Sequence, residues 1–174
     1  MIKKYILVLV LILLSPSVFA KRGANIFAYS REAPLTPIYT PGGQELKIQD
    51  FKCDFLLIMF WSRHCAPCIK ELDEINEFVR KTRDNGIKVL LVSKEDEWST
   101  MQEQRNLLIK YGAPDVDFYV DRGGKLAGDF GIFASPHTVL VSRNSQEIGR
   151  IRGSADWGDD DVVEYIYKIK ATHG

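Results

Sequence analysis

The chain has 174 residues, of which 23 are basic and 23 acidic, and it contains three cysteines. Balanced charge leaves no electrostatic footprint for nucleic acid and no polybasic patch for a membrane surface. A small secreted scaffold held together by disulfides would carry an even and denser set of cysteines.

Residues 1–20 are unlike the rest. Lys3 and Lys4 make a basic start, Tyr5 to Leu14 is an almost unbroken apolar run, Ser15-Pro16-Ser17 interrupts it, and Val18-Phe19-Ala20 supplies small-residue cleavage geometry. This pattern predicts a secretory signal peptide cleaved after Ala20. The apolar core of about ten residues falls well short of the roughly 20 needed to span a bilayer. An uncleaved N-terminal anchor is the alternative, and both readings place the rest of the chain outside the cytoplasm. Residues 21–174 are long enough for one domain with a real core.

Residues 21–32 are mixed in character and read as a loose lead-in. Residues 38–47 read as a hairpin about Pro41-Gly42-Gly43. Residues 55–61 (FLLIMFW) are continuously apolar and of strand length, which predicts a strand buried on both faces. Residues 68–80 have helical periodicity, with Leu72, Ile75, Phe78 and Val79 on one stripe and Glu71, Asp73, Glu74 and Lys81 on the other. Asn85-Gly86 ends that helix. A second apolar strand is expected at 87–92, and a second amphipathic helix at 98–111, closed by Gly112 and Pro114. A short strand at 118–120 and a short helix at 125–130 follow. Residues 138–141 and 148–151 form a hairpin about Arg143-Asn144-Ser145. Gly158-Asp159-Asp160-Asp161 opens a last helix with acidic residues at its positive end. This order predicts an α/β domain, a central mixed sheet with helices on both faces.

The strongest chemical signal is Cys65-Ala66-Pro67-Cys68, which follows a buried strand and opens a helix. The thiolate, not the thiol, attacks a disulfide. At a helix start the first N–H groups lack intrahelical partners and stabilise an anion. Cys65 is therefore the expected nucleophile, and Cys68, one turn in, the resolving thiol. Pro67 suits the first turn, where its missing N–H costs nothing. A zinc knuckle would need four ligands at matching spacing, and no second pair is present.

The segment Phe60-Trp61-Ser62-Arg63-His64-Cys65-Ala66-Pro67-Cys68-Ile69-Lys70-Glu71-Leu72 resembles the active-site segment of thioredoxin-like proteins of the TlpA/ResA/CcmG (DsbE) group. Gly131-Ile132-Phe133-Ala134-Ser135-Pro136-His137-Thr138-Val139-Leu140-Val141 is similar to the group's Gly-Val-x-x-x-Pro-x-Thr-Phe-Leu-Ile segment. Ala33-Pro34 and the hairpin ending at Asp50-Phe51 resemble its N-terminal extension. The resemblance implies a thioredoxin-like fold with an N-terminal β-hairpin extension. It also implies a periplasmic thiol–disulfide oxidoreductase without a cofactor.

Residue by residue, the resemblance implies a cis peptide bond before Pro136, facing the redox pair, with Ser135 offering backbone groups to a substrate strand and Trp61 part of the same binding surface. It makes Glu71 the carboxylate that takes the proton of the buried Cys68. A solvated first-turn glutamate is the plainer reading of Glu71. Thioredoxin itself carries a buried aspartate where this chain has Met59. The residue before the first cysteine, commonly Trp, is His64; protonated, it would favour the thiolate, and a mere surface substitution is the favoured alternative. His137 follows Pro136 and either lies near the sulfurs or points along the strand, the second being favoured. Cys53 reads as a free turn thiol, with an intermolecular disulfide or a regulatory thiol as the lesser alternative.

The leading expectation is an exported reductant of protein disulfides. The resemblance adds apocytochrome c as a candidate substrate and a membrane donor of the DsbD or CcdA type, with the protein a monomer. An oxidase or isomerase is the alternative, as is Sco-like Cu(I) handling by Cys65, Cys68 and a histidine. Sco proteins, however, space their cysteines by three residues. A peroxiredoxin would need Pro-x-x-x-Thr-x-x-Cys, which Ser62-Arg63-His64-Cys65 does not supply.

Overall fold

The computed structural model describes residues 24–174. The signal-peptide reading and the cleavage point after Ala20 lie outside the described residues. The strands are β1 (Asn25–Glu32), β2 (Ile38–Tyr39), β3 (Glu45–Leu46), β4 (Phe55–Phe60), β5 (Ile87–Lys94), β6 (Asp117–Asp121), β7 (His137–Ser142) and β8 (Gln146–Arg152). The helices are α1 (Ala66–Lys70), α2 (Leu72–Thr82), α3 (Met101–Lys110), α4 (Lys125–Asp129) and α5 (Asp160–His173).

All eight strands form one sheet in the order β1-β8-β7-β4-β5-β6-β2-β3. β4 runs parallel to β5 and antiparallel to β7, so the continuous apolar run sits mid-sheet with both faces covered. Strand alternation divides it. Phe55, Leu57 and Met59 join Leu72, Ile75 and Phe78 of α2, Leu108 of α3 and Val163, Ile166 and Ile169 of α5. Leu56, Ile58 and Phe60 face the other way, toward Leu126 of α4, Phe130 and Ile132, and toward Ile48 in a 3-10 turn. Each fully buried side chain of this size contributes about 1.5–3 kcal/mol. The mixed sheet with helices on both faces is thus the arrangement expected, and the predicted hairpin is present as β2–β3, added to the sheet edge through Tyr39 and Val120 of β6. Among the described residues, no helix is long and apolar enough to cross a membrane.

Three local expectations need correction. Residues 25–32 are not a loose lead-in but an edge strand, paired antiparallel with β8 through Asn25–Arg150 and Glu32–Gln146 with a shift of register between. An edge strand exposed along most of its length shows no alternation, so its pairing was invisible locally. The helix expected over 68–80 begins at Ala66 and is two helices, broken at Glu71, whose backbone (φ −96°, ψ 1°) leaves the helical region. The second amphipathic helix starts at Met101, not Trp98. Thr100 caps it by accepting from the Glu103 N–H at 3.1 Å. Trp98 is extended and buried, and its indole donates to Ser93 Oγ at 2.8 Å; its apolar character reports core packing.

Candidate active site

The sheet delivers the redox pair to one end of the molecule. The Trp61 N–H still donates to Val92 O across β4 and β5, at 3.0 Å. The chain then leaves the sheet and turns, closed by Cys65 N–H donating to Ser62 O at 3.1 Å. Arg63 braces this turn. Its backbone N–H donates to Glu97 Oε2 at 3.0 Å, and its Nη1 reaches Glu97 O at 3.1 Å and Glu103 Oε1 at 2.5 Å. Its guanidinium also lies 4.9 Å from the Trp98 ring centroid.

Cys65 is the N-cap of α1, and its sulfur accepts the Cys68 N–H at 3.2 Å. The expected redox centre is present as a Cys65–Cys68 disulfide. An N–H aimed at the Cys65 sulfur favours its charged form once the bond is reduced. Access divides the two sulfurs as expected. Cys65 is half-exposed, whereas Cys68 is 1% exposed and packs into the core.

Glu71 is where the structure departs most from the amphipathic pattern. Assigned to the solvent stripe, it is 7% exposed. Because it occupies the joint between α1 and α2, its side chain turns inward instead of following the exposed stripe. The Ala155 N–H donates to its Oε2 at 3.3 Å, and the Trp157 and Ser154 side chains also hydrogen-bond the carboxylate. Burial pushes its pKa up from 4.5 to about 7, with Glu74 adding to the rise and those three hydrogen bonds opposing it.

The Ser135–Pro136 bond is cis, as the resemblance implied. Pro136 O accepts the Gly153 N–H at 2.9 Å, which ties this loop to the end of β8. Ser135 and the buried Trp61 line one cavity of about 390 Å³, together with Phe133, Lys94, Glu97 and Asp121. Phe133 is 93% exposed. Trp61 is held by Trp98, ring centroids 5.6 Å apart.

The two histidines singled out in the sequence occupy different settings. His64 is exposed, and its backbone N–H donates to Ser62 Oγ at 3.1 Å. His137 opens β7 opposite Phe60 and Arg152. It shares strand parity with Val139 and Val141, which pack on the α4 side, whereas Cys68 packs on the other side of the sheet. By this parity His137 belongs to the α4 side of the sheet, opposite the side on which Cys68 packs. Burial pushes the His137 pKa down from 6.5 to about 4; Arg150 and Arg152 contribute and Glu147 opposes. Met59 is buried in the first core cluster, where thioredoxin has its acid. Cys53 is free and half-buried, its thiol pushed up mainly by burial.

Sequence reasoning missed Arg63 as a brace, Phe133 beside the cavity, and Ser154 and Trp157 as partners of Glu71. The short Gly153-Ser154-Ala155-Asp156-Trp157-Gly158 stretch was the available signal, since a tryptophan between two loop glycines calls for a partner.

The chain is similar to known proteins in sequence and in fold. The family model described as AhpC/TSA family matches residues 19–150. The thiol-disulfide oxidoreductase ResA of Bacillus thuringiensis subsp. konkukian is 26% identical over 141 residues, covering 80% of this chain and 77% of the relative. ResA of Bacillus anthracis is 24% identical over 168 residues, covering 93% and 94%. Among solved structures, a DsbE-type thiol:disulfide interchange protein from Chlorobium tepidum superposes with a TM-score of 0.67 at 18% identity, covering 81% of this chain and 96% of its own. StoA from Bacillus subtilis gives 0.61 at 20% identity, covering 77% and 98%. The fold is thioredoxin-like.

Proposed function

The chain belongs to the AhpC/TSA family and is a thiol–disulfide oxidoreductase, and from that premise we propose that it works outside the cytoplasm as a reductant of protein disulfides. In the dithiol form the half-exposed Cys65 thiolate attacks one sulfur of a substrate disulfide. A mixed disulfide forms and the other substrate sulfur leaves as thiolate. Cys68 gives its proton to Glu71 and attacks the Cys65 sulfur. The mixed disulfide breaks, the second substrate thiolate leaves, and the Cys65–Cys68 disulfide remains. Two electrons pass to the substrate, and a membrane dithiol protein of the DsbD or CcdA type restores the reduced pair.

One observation carries this reading: an accessible sulfur that accepts a backbone N–H, set next to a buried sulfur one turn further into a core-packed helix. Ser135, Pro136 and Trp61 bind the substrate strand beside the pair. Substrates are exported proteins with closely spaced cysteines, apocytochrome c among them, and the location is the periplasm or its equivalent. The uncharged Ala66-Pro67 pair supports reduction over oxidation.

The test uses reduced protein with insulin and with an oxidised Cys-x-x-Cys-His peptide. Both are expected to be reduced, and Cys68→Ser is expected to accumulate a mixed disulfide through Cys65. Protein that leaves both substrates intact, yet in its oxidised form oxidises the reduced peptide, overturns the proposal.

A further inference from the structure

The hydrogen bonds to the Glu71 carboxylate come from one loop, residues 153–159, between β8 and α5. The loop has its own internal bracing, with Trp157 N–H donating to Ala155 O and Asp159 N–H to Asp156 O, each at 3.0 Å. Trp157 is 1% exposed and meets Phe78 edge-on, ring centroids 5.4 Å apart at 73°. Phe78 lies two turns along from Glu71 on the same helical segment. Phe78 therefore grips the Trp157 ring while the indole reaches back to the start of the helix. An indole N–H donates and never accepts, so it suits a carboxylate that must hold its place in both protonation states.

We propose that Trp157 is a positioning residue for disulfide exchange: anchored on Phe78, it fixes the Glu71 carboxylate one turn beyond Cys68. This rests on the reading of Glu71 as the acceptor of the Cys68 proton. The groups acting on Glu71 are Glu74 on α2 and the Ser154, Ala155 and Trp157 donors of the loop; Asp73, Asp156 and Asp159 act on Glu74 in turn.

Trp157→Phe keeps a ring against Phe78 and deletes the N–H. Removing a donor to the charged form raises an acid's pKa. The Glu71 carboxyl, followed by its ¹³C shift in the oxidised protein, is expected to titrate about half to one pH unit higher in the variant. The midpoint of the pH–rate profile for insulin reduction moves the same way. In unaltered protein the Trp157 indole N–H resonance is expected to shift with the Glu71 titration, and Glu71→Gln abolishes that shift. An indole resonance that ignores pH overturns the proposal, whatever the fate of the Trp157→Phe variant, and so does an unmoved Glu71 midpoint in a folded variant. Failure of the unaltered protein to reduce insulin sinks the functional reading instead, and leaves both titrations readable.

Discussion

Glu71→Gln is expected to make the oxidised protein more stable at alkaline pH, and the gain has a size. The carboxyl's pKa is raised from 4.5 to about 7 by burial. At about 1.4 kcal/mol per pH unit, carrying the charge above pH 7 costs the fold about 3 kcal/mol. Between these two values the folded protein binds more protons than the unfolded chain, so stability is fully present below the lower value and is lost as pH rises through the upper one. The glutamine variant has no such titration and still offers Ala155 an acceptor. Urea unfolding of both oxidised proteins from pH 4 to 8.5 reads the difference. Glu74, also held up by burial, is present in both and largely cancels. The gap between variant and parent should open in favour of the variant by up to about 3 kcal/mol as pH rises. A gap that stays constant across this range would show that Glu71 is not a buried, neutralised acid, and would remove it from the proton transfer.

Glu147 and Arg150 form a buried pair at 2.5 Å, and Arg150 also donates to Phe130 O at 2.5 Å, anchoring the segment that leads into the Pro136 loop. Glu147→Ala strands that guanidinium and is expected to cost about 3–5 kcal/mol in urea unfolding; a loss below about 1 kcal/mol would contradict the burial. His137, depressed to about 4, is expected to stay neutral from pH 5.5 to 8 by NMR. Because its folded value lies below the unfolded one, its contribution is present above pH 6.5 and lost on acidification toward pH 4. A ring titrating near 6.5 would place it in solvent.

Much of this was legible in the residues, for physical reasons. Phe55 to Phe60 declared a central strand because a strand covered on both faces has no polar alternation to hide it. Cys65 and Cys68 declared the chemistry because their spacing and the strand before them fix the sulfurs at a helix start. Pro136 needed the resemblance, since a proline in a loop says nothing by itself about its peptide bond. Glu71 was misplaced because helical periodicity assumes an unbroken helix, and the break falls on that residue. β1 was missed because an edge strand is set by its partner's hydrogen bonds, not by its own pattern. Trp157 and Arg63 act through tertiary partners distant in the chain, Glu71 for one and Glu97 and Glu103 for the other. No local pattern encodes such pairings.

The central claim is that the Cys65–Cys68 pair gives electrons to protein disulfides, and its reduction potential tests that most directly. The measurement is equilibration against redox buffers of protein lacking residues 1–20, with Cys53→Ser to remove the free thiol. The account predicts a value near that of thioredoxin, about −270 mV, low enough to drive substrate reduction. A value near that of DsbA, about −120 mV, would contradict it and make the protein an oxidant.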